Sequence, residues 1–273
     1  MAESRSRHRL RGGVMELGMG KSMRWPTGAE VRQKPISGGA MLYDASRAGN
    51  AEATWFDPKW WSGRARVRQS QEGRGGVCFI DGEGRRLVLR HYHRGGWIAR
   101  LAADTYRWQG EARTRSFVEW HMLHLMRRAG LPVPVPIAAS YRRTGRYGYC
   151  ADLLTEQIPD AQSLATLLRA GSVPLTHWIA LGRCLRRFHD DGVFHADLNA
   201  HNVLFGEATE VWLVDFDRSR LRKPGLWCDD NLVRLRRSIE KITAPLPPVH
   251  FSDADWDSLL RCYFAAVAPA TAA

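Results

Sequence analysis

The chain has 273 residues, a formal net charge of +12 and 44% hydrophobic residues. That length suits one large domain or two tightly joined lobes, and the apolar fraction supports a full core. Five cysteines, odd in number and without a CxxC pair, argue against a disulfide framework or a zinc site, and no apolar run is long enough to cross a bilayer, so the cytoplasm is the default setting. The basic balance points to a polyanionic partner: nucleic acid, an anionic lipid surface or a phosphorylated small molecule. Nucleic acid is not expected, because the aromatics are not interleaved with basic residues in a stripe.

Residues 1–37, rich in Arg, Gly, Ser and Met, read as a disordered leader. GMGKS (18–22) resembles the end of a phosphate loop, but position 15, where the pattern needs Gly, is Met15. EGRGG (72–76) precedes a pair of β-runs, 76–93, around the turn DGEG. Residues 111–129 read as a helix stopped by Gly130, and the LPVPVP that follows cannot be helical. Residues 147–158 look like a strand with a connector, and 162–170 like a helix. Residues 174–191 form an amphipathic helix with Trp178, Leu181, Leu185 and Phe188 on one face. A second hairpin spans 203–215, helices follow over 229–242 and 254–267, and 268–273 is a frayed tail. The order is α+β: a small β-rich N-lobe over about 38–157 and a mostly helical C-lobe over about 158–267, with a ligand cleft expected between the lobes.

The second hairpin carries the chemistry. Its two ends must meet, so Asn202 before the first strand and Asp215 after the second become neighbours. An amide oxygen beside a carboxylate suits a hard cation such as Mg²⁺, which takes remaining ligands from water and phosphates. Asp197 lies five residues before Asn202, and His195 two before Asp197. This D-x-x-x-x-N spacing followed by D-F-x is the kinase arrangement, in which one Asp accepts the proton of the attacking hydroxyl while the Asn and the second Asp hold metal. An Asx-rich turn would account for Asp197 and Asn199 but not for Asp215 at the far end of the hairpin.

A kinase site also needs a cation on the nucleotide phosphates. In LVLRHY (87–92) Arg90 takes that place, with a planar fork suited to phosphate oxygens. Glu119 shares a helix face with Met122, Leu123 and Met126, where a carboxylate calls for a charged partner. Arg90–Glu119 is the expected pair, with Glu111 the alternative acid. Arg74, Gly75 and Gly76 could lie over phosphates through backbone N–H groups and the Arg74 charge. HYH (91–93) and HMLH (121–124) have metal-ligand spacing, but no Cys or carboxylate joins them in a recognisable pattern, so surface or lobe-interface roles are expected.

HADLNAHNVLF, VDFDRSR, LVLRHYHRGG, TRSFVEW, GLPVPVPIAA and ADLLTE, in consistent order over roughly 38–265, together resemble the 3-deoxy-D-manno-octulosonic acid (Kdo) kinase family, of the lipopolysaccharide kinase branch of the protein-kinase-like superfamily. The resemblance implies ATP-dependent phosphorylation of the 4-hydroxyl of Kdo on Kdo-lipid A, by a peripheral enzyme on the cytoplasmic side of the inner membrane. It makes Asp197 the catalytic base, Asn202 and Asp215 the Mg²⁺ ligands and Arg90 the phosphate cation. Asp217 stands where the general kinase pattern has Gly, and the 58 residues after Asp215 contain no APE. A two-lobed kinase-like fold with a reduced C-lobe and a small acceptor is therefore expected. RSRLRK (218–223) and RLRRS (234–238) could face the acceptor's anionic groups.

Overall fold

The computed structural model describes residues 30–69, 76–82, 84–93 and 104–265. GMGKS, Arg74, Gly75, the tail and residues 1–29 of the expected leader lie outside them. The rest of that leader is not disordered: Val31–Ile36 is strand β1, paired antiparallel with β2 (Gly39–Asp44). β1 ends the sheet, and its half-exposed VRQKPI carries no apolar alternation, as suits an edge strand that tolerates a proline.

The described residues fall into two units, one comprising 30–124 and 134–157, the other 125–133 and 158–265. The first is built on an antiparallel sheet. Its further strands are β3 (Arg66–Gln69), β4 (Val77–Gly82), β5 (Arg85–His91), β6 (Tyr106–Arg107), β7 (Pro136–Thr144) and β8 (Gly148–Glu156). The order is β1-β2-β7-β8-β5-β4-β3, with β6 also on β8. β4 and β5 form the expected hairpin, Val77 opposite Arg90. β7 was not expected. Its Pro136, Ile137, Ala138 and Ala139 are all buried, and a continuously apolar run has no alternation to betray a strand.

Alternation along β5 sends Leu87 and Leu89 into a core with Phe56, Trp61, Ile80 and Leu154. Arg90 therefore faces the other side, toward the helix α1 (Arg115–Arg128), whose Glu119 it meets. That helix begins four residues later than expected, after a single 3₁₀ turn at Glu111–Arg113. It stops at Gly130, where φ is +76° and Leu131 N–H returns to the Met126 carbonyl at 2.9 Å, a glycine-terminated helix end.

The second unit contains α2 (Leu164–Ala170), α3 (Leu175–Asp190), α4 (Trp227–Thr243) and α5 (Asp253–Ala265). The stripe Trp178, Leu181, Leu185, Phe188 on α3 is fully buried. A Cβ on Gly182 would lie 2.2 Å from the Leu259 carbonyl oxygen, so α3 and α5 approach backbone to backbone there. Strands β9 (Gln162–Ser163), β11 (Val203–Phe205) and β12 (Val211–Leu213) form one small sheet, and β10 (Val193–Phe194) pairs with β13 (Arg220–Leu221). The loop between β10 and β11 carries the site.

Candidate active site

The β11–β12 hairpin has the register Val203 opposite Leu213, and the ladder continues outward with Val214 N–H donating to the Asn202 carbonyl at 3.0 Å. Asp215 is the next residue. The hairpin thus brings Asn202 and Asp215 to the same end of a three-residue ladder. Asp215 has φ +62°, in the left-handed region that an aspartate adopts at a cost, and such backbone is kept where the surroundings over-determine it. Phe216, buried beside it, stacks on Phe188 of α3 at 5.9 Å and meets the His195 ring at a tilt of 51°, centres 4.7 Å apart.

The loop 195–202 is held by its own polar side chains. Asn199 Oδ1 accepts from the N–H groups of His201 (2.9 Å) and Asn202 (3.3 Å), an Asx turn. Asn202 Nδ2 donates to the Asp197 carbonyl at 2.8 Å, and Asn199 Nδ2 to the same oxygen at 3.1 Å. With its nitrogen committed, Asn202 presents Oδ1 as its acceptor atom. An amide oxygen at one end of the hairpin and the Asp215 carboxylate one residue beyond the other form a hard-oxygen pair that fits Mg²⁺.

His195 is 2% exposed and serves as a strut. Asp197 N–H donates to its Nδ1 (3.2 Å), so the ring proton sits on Nε2, which donates to the Val214 carbonyl (3.0 Å). Burial is the largest influence on its pKa and lowers it, against the opposing effects of the Val214 bond, Asp215 and Asp197. A neutral imidazole therefore ties the residue before Asp215 to the backbone of Asp197.

Arg90 Nη2 donates to Glu119 Oε2, the same oxygen that accepts Tyr92 O–H at 2.7 Å. Arg90 also reaches Tyr92 O–H (3.0 Å), and its guanidinium lies 4.5 Å from the Tyr92 ring centre. The Glu119 side chain is 3% exposed and that of Arg90 19%, so desolvation offsets much of the pair's Coulomb gain and its main effect is to fix the guanidinium. Glu111 does not pair with Arg90: it accepts from Gln33 (2.6 Å) and Tyr141 (2.7 Å). Gly76 carbonyl accepts His91 N–H at 2.7 Å, and a Cβ there would lie 2.6 Å from the His91 carbonyl oxygen, which explains why position 76 has no side chain.

The model of the lipopolysaccharide kinase (Kdo/WaaP) family matches residues 58–263. The chain belongs to that family. A relative from Xylella fastidiosa (strain 9a5c), named 3-deoxy-D-manno-octulosonic acid kinase, is 46% identical over 226 residues, 82% of this chain and 89% of that relative. One of the same name from Xanthomonas campestris pv. campestris (strain B100) is 42% identical over 226 residues, with the same coverage. A solved structure titled "WaaP in complex with acyl carrier protein" is 18% identical, with a TM-score of 0.49, covering 79% of this chain and 88% of that one.

In this lipopolysaccharide kinase family member, two basic segments flank the loop 195–202. Ser219 Oγ accepts from Ala196 N–H (3.2 Å) and Ser238 Oγ from Ala200 N–H (3.1 Å), binding RSRLRK and RLRRS to the loop. Arg218, Arg220, Lys223, Arg234 and Arg237 are exposed, whereas Arg236 is engaged by Glu240 (2.8 Å) and Asp253 (2.6 Å). Sequence reasoning missed Asn231, which accepts His195 N–H (3.2 Å) and donates to the His195 carbonyl (2.9 Å). Its signal was present: like Glu119, it is a polar residue on the apolar face of a helix, with Leu232, Leu235 and Ile239. His121 and His124 do not take a surface place, since both are buried, His124 stacked on Trp120 at 5.1 Å. HYH does have carboxylate partners, Asp104 and Asp152.

Proposed function

We propose that the chain transfers the γ-phosphate of ATP to the 4-hydroxyl of Kdo on Kdo-lipid A in lipopolysaccharide inner-core biosynthesis, at the cytoplasmic face of the inner membrane. The observation that carries this is the hairpin that closes Asn202 and Asp215 onto one end, beside the loop that His195 ties to Asp197, in a chain 46% identical to a relative named as a kinase of that sugar acid.

Asp197 accepts the proton of the attacking hydroxyl as the new P–O bond forms, and ADP leaves with the electron pair of the broken one. Asn202 Oδ1 and the Asp215 carboxylate would hold Mg²⁺, which when bound neutralises and orients the phosphate oxygens. Arg90, fixed by Glu119 and Tyr92, binds nucleotide phosphate oxygens. The exposed arginines on both sides of the catalytic loop suit an acceptor that carries a carboxylate and phosphates. The attachment to the bilayer in this reading is peripheral, through the exposed basic residues of 218–223 and 234–238; among the described residues no helix is long and apolar enough to cross a membrane.

The test is an acceptor panel. The protein, ATP and Mg²⁺ are incubated with Kdo-lipid A, a heptose, aminoglycosides or a protein acceptor, and products are read by mass. Kdo-lipid A gaining one phosphate is the expected result. Phosphorylation of a soluble acceptor with none on Kdo-lipid A overturns the assignment.

A further inference from the structure

β5 ends in His91, and His93 follows it. In the folded sheet unit Asp104, eleven positions after His93, comes back against both rings. Among the described residues this is the one group of His, Cys, Asp and Glu side chains whose donor atoms gather for a metal ion, all within 4.8 Å of one another.

We propose that His91, His93 and Asp104 bind a divalent transition cation of the zinc type, with Asp152 as the outer carboxylate that orients His91. His91 Nδ1 lies 2.6 Å from Asp152 Oδ1, which places the proton of the neutral ring on Nδ1 and turns the Nε2 lone pair outward. Asp152 is 2% exposed and is itself held by Ser140 Oγ (3.3 Å) and Arg142 (3.6 Å), so this orienting group is fixed. A carboxylate on the far nitrogen of a ligating imidazole is the usual support of such a ligand. His91 Nε2 lies 3.8 Å from Asp104 Oδ2, close to the roughly 3.3 Å that separates two ligands around a tetrahedral ion with bonds of about 2.0–2.1 Å. His93 Nδ1 lies 2.5 Å from Asp104 Oδ1, a contact that opens by less than about 1 Å when a cation replaces the shared proton. The two rings stand at 69° with centres 4.8 Å apart, edge to face rather than stacked.

The donor set decides the metal class. Two imidazoles and one carboxylate, without thiolate, suit Zn²⁺ and its neighbours, while Mg²⁺ prefers oxygen throughout. Asp104 is half-exposed and both histidines about 28–29% exposed, so an ion can enter and a fourth position stays open to water. The cation would join the end of β5, directly after Arg90, to Asp104. The site uses neither of the proposed Mg²⁺ ligands Asn202 and Asp215, and it holds or fails independently of the acceptor.

The test uses the full chain, stripped of metal by a chelator that is then removed. Zn²⁺ is titrated in competition with a chromogenic chelator at neutral pH, with Mg²⁺ in large excess. One zinc per chain is expected. His93→Ala and Asp104→Asn should each weaken binding by at least tenfold, and Asp152→Asn by roughly 10–100-fold. Circular dichroism establishes that each variant is folded. The half-exposed His93 and Asp104 can change without touching the core, and Co²⁺ added to the unaltered chain gives an independent reading: visible d–d bands of nitrogen and oxygen ligation, absent in Asp104→Asn. No zinc on the unaltered chain, or zinc bound equally by His93→Ala and Asp104→Asn, overturns the proposal and leaves a metal-free His–Asp network.

Discussion

Removing the Glu119 carboxylate is the sharpest perturbation available in the sheet unit. In Glu119→Ala the Arg90 guanidinium loses its anion and Tyr92 O–H loses an acceptor in a place where the carboxylate is 3% exposed. Breaking a buried pair from one side costs about 3–5 kcal/mol. Because Arg90 is 19% exposed and can recruit some water, the lower end, about 3 kcal/mol, is expected. Glu119→Gln keeps the volume and one acceptor oxygen but not the charge, and should cost roughly 1.5–3 kcal/mol. The Arg90→Met/Glu119→Leu double variant should recover most of the loss, since apolar side chains of similar volume replace the pair. Urea unfolding of the four proteins reads these values as midpoint shifts at constant slope. In initial-rate kinetics at varied ATP, by contrast, the double variant should remain defective with a raised KM, because Arg90, the proposed phosphate cation, is gone. Glu119→Ala unfolding within about 0.5 kcal/mol of the unaltered chain, or an Arg90→Met/Glu119→Leu variant no more stable than Glu119→Ala, refutes the reasoning.

Gly182→Ala should destabilise the helical unit by about 1–3 kcal/mol, because its Cβ would lie 2.2 Å from the Leu259 carbonyl oxygen; a thermal melt checks this. Burial holds His121 down to about 3 and His189 down to about 4, so both are neutral in the folded chain when their unfolded counterparts protonate. Folded pKa values below the unfolded 6.5 make the associated stability present above pH 6.5 and lost as pH falls toward 3–4, at about 1.4 kcal/mol per pH unit for each histidine. His91, raised chiefly by its Asp152 hydrogen bond, contributes stability that is fully present below 6.5, so it adds a constant there and leaves the slope unchanged. Urea midpoints between pH 7 and 4 measure the slope, and His121→Gln should lower it by about one proton's worth. Arg234→Ala, at an exposed position in the segment that Ser238 ties to the loop 195–202, should raise the KM for Kdo-lipid A several-fold while leaving that for ATP unchanged, as initial-rate kinetics would show.

The meeting of Asn202 and Asp215 at one end of the hairpin was legible because its logic is local. A hairpin with three paired residues a side fixes where its ends go, and the spacing of Asp197, Asn202 and Asp215 could be read against that geometry. Glu119 was legible for a different reason: a carboxylate on an apolar helix face demands a partner, and Arg90 points out of the sheet toward it. The same argument applied to Asn231 would have found the clamp on His195. β1 and β7 were hidden because neither alternates, one being an exposed edge and the other buried throughout its first half. The Asp104 partnership of HYH left no pattern in the sequence, because residues 94–103 intervene and only the tertiary path of the chain brings Asp104 back to β5.

The most direct test of the account is the rate of phosphate transfer from ATP to Kdo-lipid A by the unaltered chain and by Asp197→Ala, with both proteins shown to unfold at the same temperature. The account predicts a Kdo-lipid A product heavier by one phosphate from the unaltered chain, and a rate lower by about 10²–10⁴-fold from Asp197→Ala, the range for loss of a general base. Transfer by Asp197→Ala at the unaltered rate would contradict it.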